Sequence, residues 1–192
     1  MNICVYGASS NKINESFIKA GELLGNEIAK AGHTVVYGGG AEGMMGAVSR
    51  GAVYGGGKVI GIAPSFFKVD GTLYDKCTEF IYTETMRERK ALLEEKSDAF
   101  ITTPGGPGTY DEFFEIFTLR QLDKHTKPIV IYNINGYYDK LYEIMEQAIE
   151  LDFMKPKNRD NYFISDNPKE IIAYLENYTP SSNGINDFKH IK

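Results

Sequence analysis

Seven short runs of β-branched and aromatic residues alternate along this chain with longer stretches of helical periodicity, and that alternation restricts the fold more than any other feature. The strands read Ile3–Tyr6, Thr34–Tyr37, Val59–Ala63, Glu79–Tyr82, Ala99–Thr102, Ile129–Tyr132 and Tyr162–Ile164. Runs such as Pro128-Ile129-Val130-Ile131-Tyr132 show no polar alternation, as expected of strands covered on both faces. Between the first two strands Phe17, Ala20, Leu24, Ile28 and Ala31 recur at helical spacing, and Gly32 stands at the stop position. Further helices are predicted near 43–56, 86–97, 110–124, 137–151 and 168–178. The pattern predicts an α/β fold, a doubly wound parallel sheet of about seven strands with helices on both faces and right-handed crossovers. No repeat or linker divides it, so residues 1–179 read as one domain. The turn-rich Pro180-Ser181-Ser182-Asn183-Gly184 opens an expected loose tail over 180–192. Ligands in such sheets sit at the carboxyl ends of the strands, so function is sought in the strand-to-helix loops.

Composition narrows the classes. The 192 residues carry 21 basic and 26 acidic side chains, a net charge of −5 with no basic block, which argues against nucleic acid as a partner. No run nears the ~18 apolar residues a membrane span needs, and Ile3–Tyr6 is too short for a signal peptide. Cys4 and Cys77 are expected to be two reduced structural thiols. His33, His125 and His190 lie in no metal-binding spacing. The expectation is a cytoplasmic protein without metal. Glycine stands out: 20 residues of 192 exceed the usual ~7%, and seven of them fall in two loop segments.

The first segment, Gly38-Gly39-Gly40-Ala41-Glu42-Gly43, matches G-x-G-x-x-G and runs from a strand into a helix. Such a loop lets backbone N–H groups approach an anion at a helix N-terminus, or simply allows tight turns and close packing. It does not fit a nicotinamide site, which wants the motif after the first strand and an acid about 20 residues on. Here the first strand leads to Gly7-Ala8-Ser9-Ser10, and Lys58 to Ala63 contains no carboxylate. The second segment is more informative. Ile101-Thr102-Thr103 leads into Pro104-Gly105-Gly106-Pro107-Gly108-Thr109 and then a helix, a cradle for phosphate without the lysine or spacing of an ATP-hydrolysing P-loop.

Two ionisable residues have competing readings. Thr109-x-x-Glu112 spells a capping box, which would tie Glu112 to the backbone. Alternatively, a carboxylate beside an anion loop suits a site where positive charge develops, as on a ribosyl oxocarbenium ion. Thr85 and Glu88 spell another box, and Arg89 follows on the apolar stripe of Met86 and Leu93. It either snorkels to the surface or pairs with a carboxylate or phosphate. Lys90 is a solvated lysine or a second phosphate contact, and Asp111 a possible auxiliary acid.

Pro104-Gly105-Gly106-x-Gly108-Thr109-x-x-Glu112, preceded by Met86-x-x-Arg89-Lys90, closely resembles the LOG ("Lonely Guy") family of cytokinin riboside 5′-monophosphate phosphoribohydrolases, often mislabelled as lysine decarboxylases. Tyr37 to Gly46, Lys127-Pro128 and Asn135-Gly136-Tyr137-Tyr138 extend the resemblance over about residues 1–178. It implies a Rossmann-like fold and hydrolysis of the N-glycosidic bond of a nucleoside 5′-monophosphate, with no cofactor. It further implies a homodimer, with the aromatic stretch Phe113–Phe117 near the contact. By this resemblance Arg89 and Glu112 are the catalytic pair. Lys90, Gly106, Pro107, Gly108, Thr109 and Thr118 match nucleotide contacts, and Gly105, Gly39, Gly40 and Ser9 complete the expected set. Arg87 and Pro107 depart from the His and Tyr usual there, which touches substrate preference, and Ser65 to Thr78 matches no part of the pattern. A pyridoxal-dependent decarboxylase is disfavoured because no lysine has the loop context of a Schiff base. A nucleotide carrier without hydrolysis remains the other reading, and Glu112 argues against it.

Overall fold

The computed structural model describes residues 1–69 and 71–182. Each expected strand forms: β1 (Asn2–Tyr6), β2 (Thr34–Tyr37), β3 (Lys58–Pro64), β4 (Glu79–Thr83), β5 (Ala99–Thr102), β6 (Ile129–Tyr132) and β7 (Phe163–Ser165). The main helices are α1 (Glu15–Lys30), α2 (Gly43–Tyr54), α3 (Met86–Glu95), α4 (Pro107–Gln121), α5 (Asp139–Glu150) and α6 (Pro168–Glu176). Short 3-10 turns at Ser65–Phe67, Ile134–Gly136 and Pro156–Asn161 complete the elements, each too brief to leave a periodic signal. Of the expected tail, residues 183–192 lie outside the described residues, while Ser181 Oγ accepts a hydrogen bond from Arg120 at 3.0 Å.

All neighbouring strands pair in parallel, in the order β4-β3-β2-β1-β5-β6-β7. The chain starts at the centre, walks outward to β4, then returns past β1 to build the other half. That reversal leaves a crevice outside the carboxyl ends of β1 and β5, because the loops that follow them leave toward opposite sides.

Strand alternation sorts the core into two layers. Ile3 and Val5 join Val35, Tyr37 and Val59 against Leu24 and Ile28 of α1, Met44 and Val48 of α2, and Ile171 and Leu175 of α6. Cys4, Tyr6, Val36 and Phe100 point the other way, to Leu93 of α3, Phe113 and Phe117 of α4, and Met145 of α5. The cysteines pack in different layers and are both free thiols, and burial raises the Cys4 pKa to about 12. His125 is also structural. Its Nε2 lies 2.9 Å from the Ile116 carbonyl and its Nδ1 accepts from Lys127 N, while burial lowers its pKa. Among the described residues no helix is long and apolar enough to cross a membrane, and no three metal-ligating side chains cluster.

Two helix starts differ from the periodicity. α4 begins at Pro107, about a turn before the expected position, because proline's preset φ and missing N–H suit the first helical residue. α5 begins at Asp139 because Asn135 and Gly136 take positive φ, 54° and 70°, and make a separate turn. Part of the glycine excess also has a use outside the ligand loops. A Cβ on Gly25 of α1 would run into the Val48 carbonyl oxygen, and one on Gly51 of α2 into that of Glu22. The two helices therefore meet backbone to backbone. Gly25→Ala is expected to cost about 3 kcal/mol through forced separation of α1 and α2, read as a lower urea midpoint at unchanged m-value.

Candidate active site

The crevice between β1 and β5 is a cavity of about 750 Å³, in the range of small-molecule sites. Gly7 to Ser10 line it from the β1–α1 loop, Gly38 and Gly40 to Glu42 from the β2–α2 loop, and Gly106 to Thr109 from the start of α4. Met86, Arg89 and Lys90 of α3 and Asp111 and Glu112 of α4 form the opposite wall. Hydrogen bonds hold these loops together: Ala8 N donates to the Pro104 carbonyl at 3.1 Å, and Met45 N to that of Ala8 at 3.2 Å. The stretch after β3, which matched no motif, folds back over the first glycine loop. Ala41 N donates to Thr72 O at 3.0 Å and Tyr74 N to Gly39 O at 2.9 Å, which brings Leu73 and Phe67 to the cavity.

One end of the cavity has the backbone features an anion would need. Gly106 caps α4 without a side-chain hydrogen bond, so first-turn N–H groups are left for a ligand, and the helix dipole adds positive potential. A Cβ on Gly106 or Gly108 would meet nothing within 4 Å. Packing therefore does not demand glycine at either position, and the open space lies where a ligand would approach the backbone. Gly105 differs, because a Cβ there would overlap Thr109 Oγ1.

The chemistry lies beside that end. Arg89 Nη1 donates to Glu112 Oε1 at 2.7 Å, both side chains buried, and Arg89 Nε donates to the Ile62 carbonyl at 3.3 Å. Gly38 makes room for the guanidinium, since a Cβ would strike Arg89 Nη2. The Thr85–Glu88 capping box forms and starts α3 one turn before Arg89. The Thr109–Glu112 box does not form. With the helix starting at Pro107, Thr109 is already inside the first turn and Glu112 falls on the second, turned toward Arg89. Burial raises the Glu112 pKa, and the Arg89 charge and hydrogen bond oppose it without cancelling it. Lys90 is held by Glu115 at 2.8 Å and Asp111 at 3.0 Å, and the Glu115 hydrogen bond leads in raising its pKa. Asp111 thus serves as a counter-ion to Lys90.

Of the residues expected from the sequence, Ser9, Gly40, Arg89, Lys90, Gly106, Pro107, Gly108, Thr109 and Glu112 meet at the cavity. Gly39 and Gly105 stand behind the lining, Gly39 at φ +79° against Phe80. Thr118 is exposed, roughly three turns along α4, and does not reach this cavity. Sequence reasoning missed Phe67 and Leu73, whose segment matches no motif and is brought in by backbone pairing, and Glu42 and Met45, which lie within the first glycine segment at positions its pattern leaves open.

A parallel sheet reversing at β1 and β5, with an uncapped helix start and a buried Arg–Glu pair in one crevice, defines a Rossmann-like protein with a candidate ligand site. Comparison with known proteins narrows the class. Residues 45–175 match the family model described as "Possible lysine decarboxylase". The chain is 38% identical over 179 residues to the probable cytokinin riboside 5′-monophosphate phosphoribohydrolase LOGL6 of Oryza sativa subsp. japonica, covering 93% of this chain and 71% of that one. It is 36% identical over 183 residues to the cytokinin riboside 5′-monophosphate phosphoribohydrolase LOG7 of Arabidopsis thaliana, covering 95% and 84%. The chain belongs to this LOG family. Its fold is shared by the molybdenum cofactor binding protein of Rippkaea orientalis (TM-score 0.70, 24% identity, 91% and 94% covered). The same holds for the molybdenum cofactor carrier protein of Chlamydomonas reinhardtii (TM-score 0.69, 22% identity, 91% and 95% covered).

The buried pair has a stability signature. Arg89→Leu leaves Glu112 without its counter-ion, and burial then raises the carboxyl pKa further. The penalty is present above that pKa, where the group is ionised, and is relieved as pH falls through it. The variant is expected to lose about 3 kcal/mol near pH 8 and clearly less near pH 5.5, measured by urea unfolding. An equal loss at both pH values would contradict the pairing.

Proposed function

We propose that the protein hydrolyses the N-glycosidic bond of a nucleoside 5′-monophosphate, a cytokinin riboside 5′-monophosphate or AMP, to free base and ribose 5-phosphate. The observation that carries this is the buried Arg89–Glu112 pair, 2.7 Å apart, opening on the same cavity as the uncapped start of α4. The activity for which the rice and Arabidopsis relatives are named supports it.

In this reading the N–H groups of Gly106 and Gly108 and the Thr109 hydroxyl take the 5′-phosphate, with Ser9 and Gly40 across the crevice. The ribose then lies toward Glu112. As the bond from C1′ to the base nitrogen breaks, positive charge grows on the ribose, and the carboxylate stabilises it. A carboxyl group with a raised pKa is also a better base, suited to accept a proton from the water that attacks C1′. Arg89 holds the carboxylate in place through Nη1 and presents its guanidinium to the substrate. Met45, Phe67, Leu73 and Met86 offer the apolar surface a purine needs. Lys90 contributes charge to the wall while remaining tied to Glu115 and Asp111. No cofactor enters the reaction.

The reading extends to one catalytic unit over residues 1–179 in a cytoplasmic homodimer. Phe113 and Phe117 are consumed by the chain's own core, so on that stretch Phe114, 41% exposed, is the aromatic that would face a partner. The carrier reading draws on the shared fold of the molybdenum cofactor proteins. It gives no role to a buried acid beside an anion site.

The two readings separate on incubation of the protein with AMP, isopentenyladenosine monophosphate, adenosine and isopentenyladenosine, followed by chromatography for free base. Base is expected from the monophosphates and not from the ribosides. Glu112→Gln is expected to lower kcat by at least about a thousandfold, on the order of 4 kcal/mol, with its circular dichroism unchanged. No base from any monophosphate would favour the carrier. Because the carboxylate form is the active one, kcat/KM is expected to fall as pH drops through the Glu112 pKa. Its acid limb should lie above the ordinary glutamate value, because burial raises that pKa. A pH–rate profile flat into the ordinary glutamate range would exclude this role.

A further inference from the structure

Tyr137 and Tyr138 do not line the cavity, yet both phenols reach the loop between β5 and α4. Their turn is set by the positive φ of Asn135 and Gly136. Asn133 braces it: its Oδ1 accepts from Tyr138 N at 2.7 Å, and its Nδ2 donates to Asp139 Oδ1 at 2.7 Å. From this base Tyr138 Oη donates to the Thr103 carbonyl and Tyr137 Oη to the Gly105 carbonyl, each at 2.7 Å. The carbonyl between them, on Pro104, accepts from Ala8 N. Three successive carbonyls of the loop are therefore engaged.

The Gly105 bond has a direct geometric effect. In a trans peptide the carbonyl and the following N–H point in opposite directions. Holding Gly105 O toward Tyr137 turns the Gly106 N–H away from Tyr137, and Gly106 lines the cavity while Gly105 does not. A peptide between two glycines has no Cβ on either side to favour one orientation, so a hydrogen bond decides it. Tyr110 Oη lies 3.2 Å from Tyr137 Oη. Since Tyr137 gives its proton to Gly105, Tyr110 donates to Tyr137, and the chain of hydroxyls polarises toward the loop.

We propose that Tyr137 is a positioning residue of the anion site, keeping the Gly105–Gly106 peptide turned so that the Gly106 N–H faces the substrate's phosphate. The assignment rests on the nucleotide reading above and adds to it a residue that never touches substrate.

The test is Tyr137→Phe, which keeps the ring against Phe17 and Tyr138 and removes only the hydroxyl. Calorimetric titration with the two products separates the ends of the site. Ribose 5-phosphate is expected to bind about tenfold more weakly to the variant. Adenine binding should stay within about twofold, and KM for AMP should rise about tenfold with kcat within about twofold. Unchanged ribose 5-phosphate affinity, or equal weakening of both products, overturns the positioning role. Wild-type protein that binds neither AMP nor ribose 5-phosphate overturns the nucleotide reading and this role with it. Tyr110→Phe removes the hydroxyl that supports Tyr137 and serves if Tyr137→Phe does not fold. A selective, smaller loss of ribose 5-phosphate affinity supports the proposal, and no loss overturns it.

Discussion

A guanidinium held away from water must be neutralised where it lies, and the site is arranged around meeting that demand for Arg89. Its partner Glu112 comes from a different helix, so α3 and α4 must approach at one point. Its Nε reaches a carbonyl of β3, and Gly38 on β2's loop leaves the volume it needs. Three segments distant in sequence thus converge on one side chain of α3. The ion pair is weak evidence of net stability, because desolvating both charges offsets much of their attraction. Its value is specificity: a carboxylate with a raised pKa is fixed beside a cavity, in one orientation, by a planar guanidinium.

The glycines divide into groups with different physical causes. Gly25 and Gly51 are set by helix contact, Gly38 and Gly105 by neighbouring side chains, and Gly106 and Gly108 by empty space. Only the last group speaks of a ligand. Composition registers all of them as one excess, and the loop motif separates them only in part.

The sheet was legible because its strands are short and the central ones are apolar on both faces, so strand limits read from pattern fall within a residue or so of those formed. Arg89 was legible through its place on an apolar stripe, which poses the question of a partner. Glu112 was ambiguous because the same spacing spells a cap, and the deciding fact was where Pro107 starts the helix. The roof of the cavity was not legible. Leu73 and Phe67 arrive through backbone hydrogen bonds to the first glycine loop, and such bonds leave no trace in side-chain pattern. Thr118, which the motif match adds to the expected contacts, stands exposed on α4 and outside the cavity that this chain forms by itself.

The backbone contact between α1 and α2 has a mechanical consequence. It makes the loops that precede those helices, and with them one side of the crevice, into a single stiff jaw. The opposite jaw is stitched by Arg89 to Glu112 and by Lys90 to Asp111 and Glu115. The two jaws are joined above the sheet at the seam where Ala8 N donates to the Pro104 carbonyl. A ligand spanning that seam would touch both jaws at once, so its fit would depend on the distance between them.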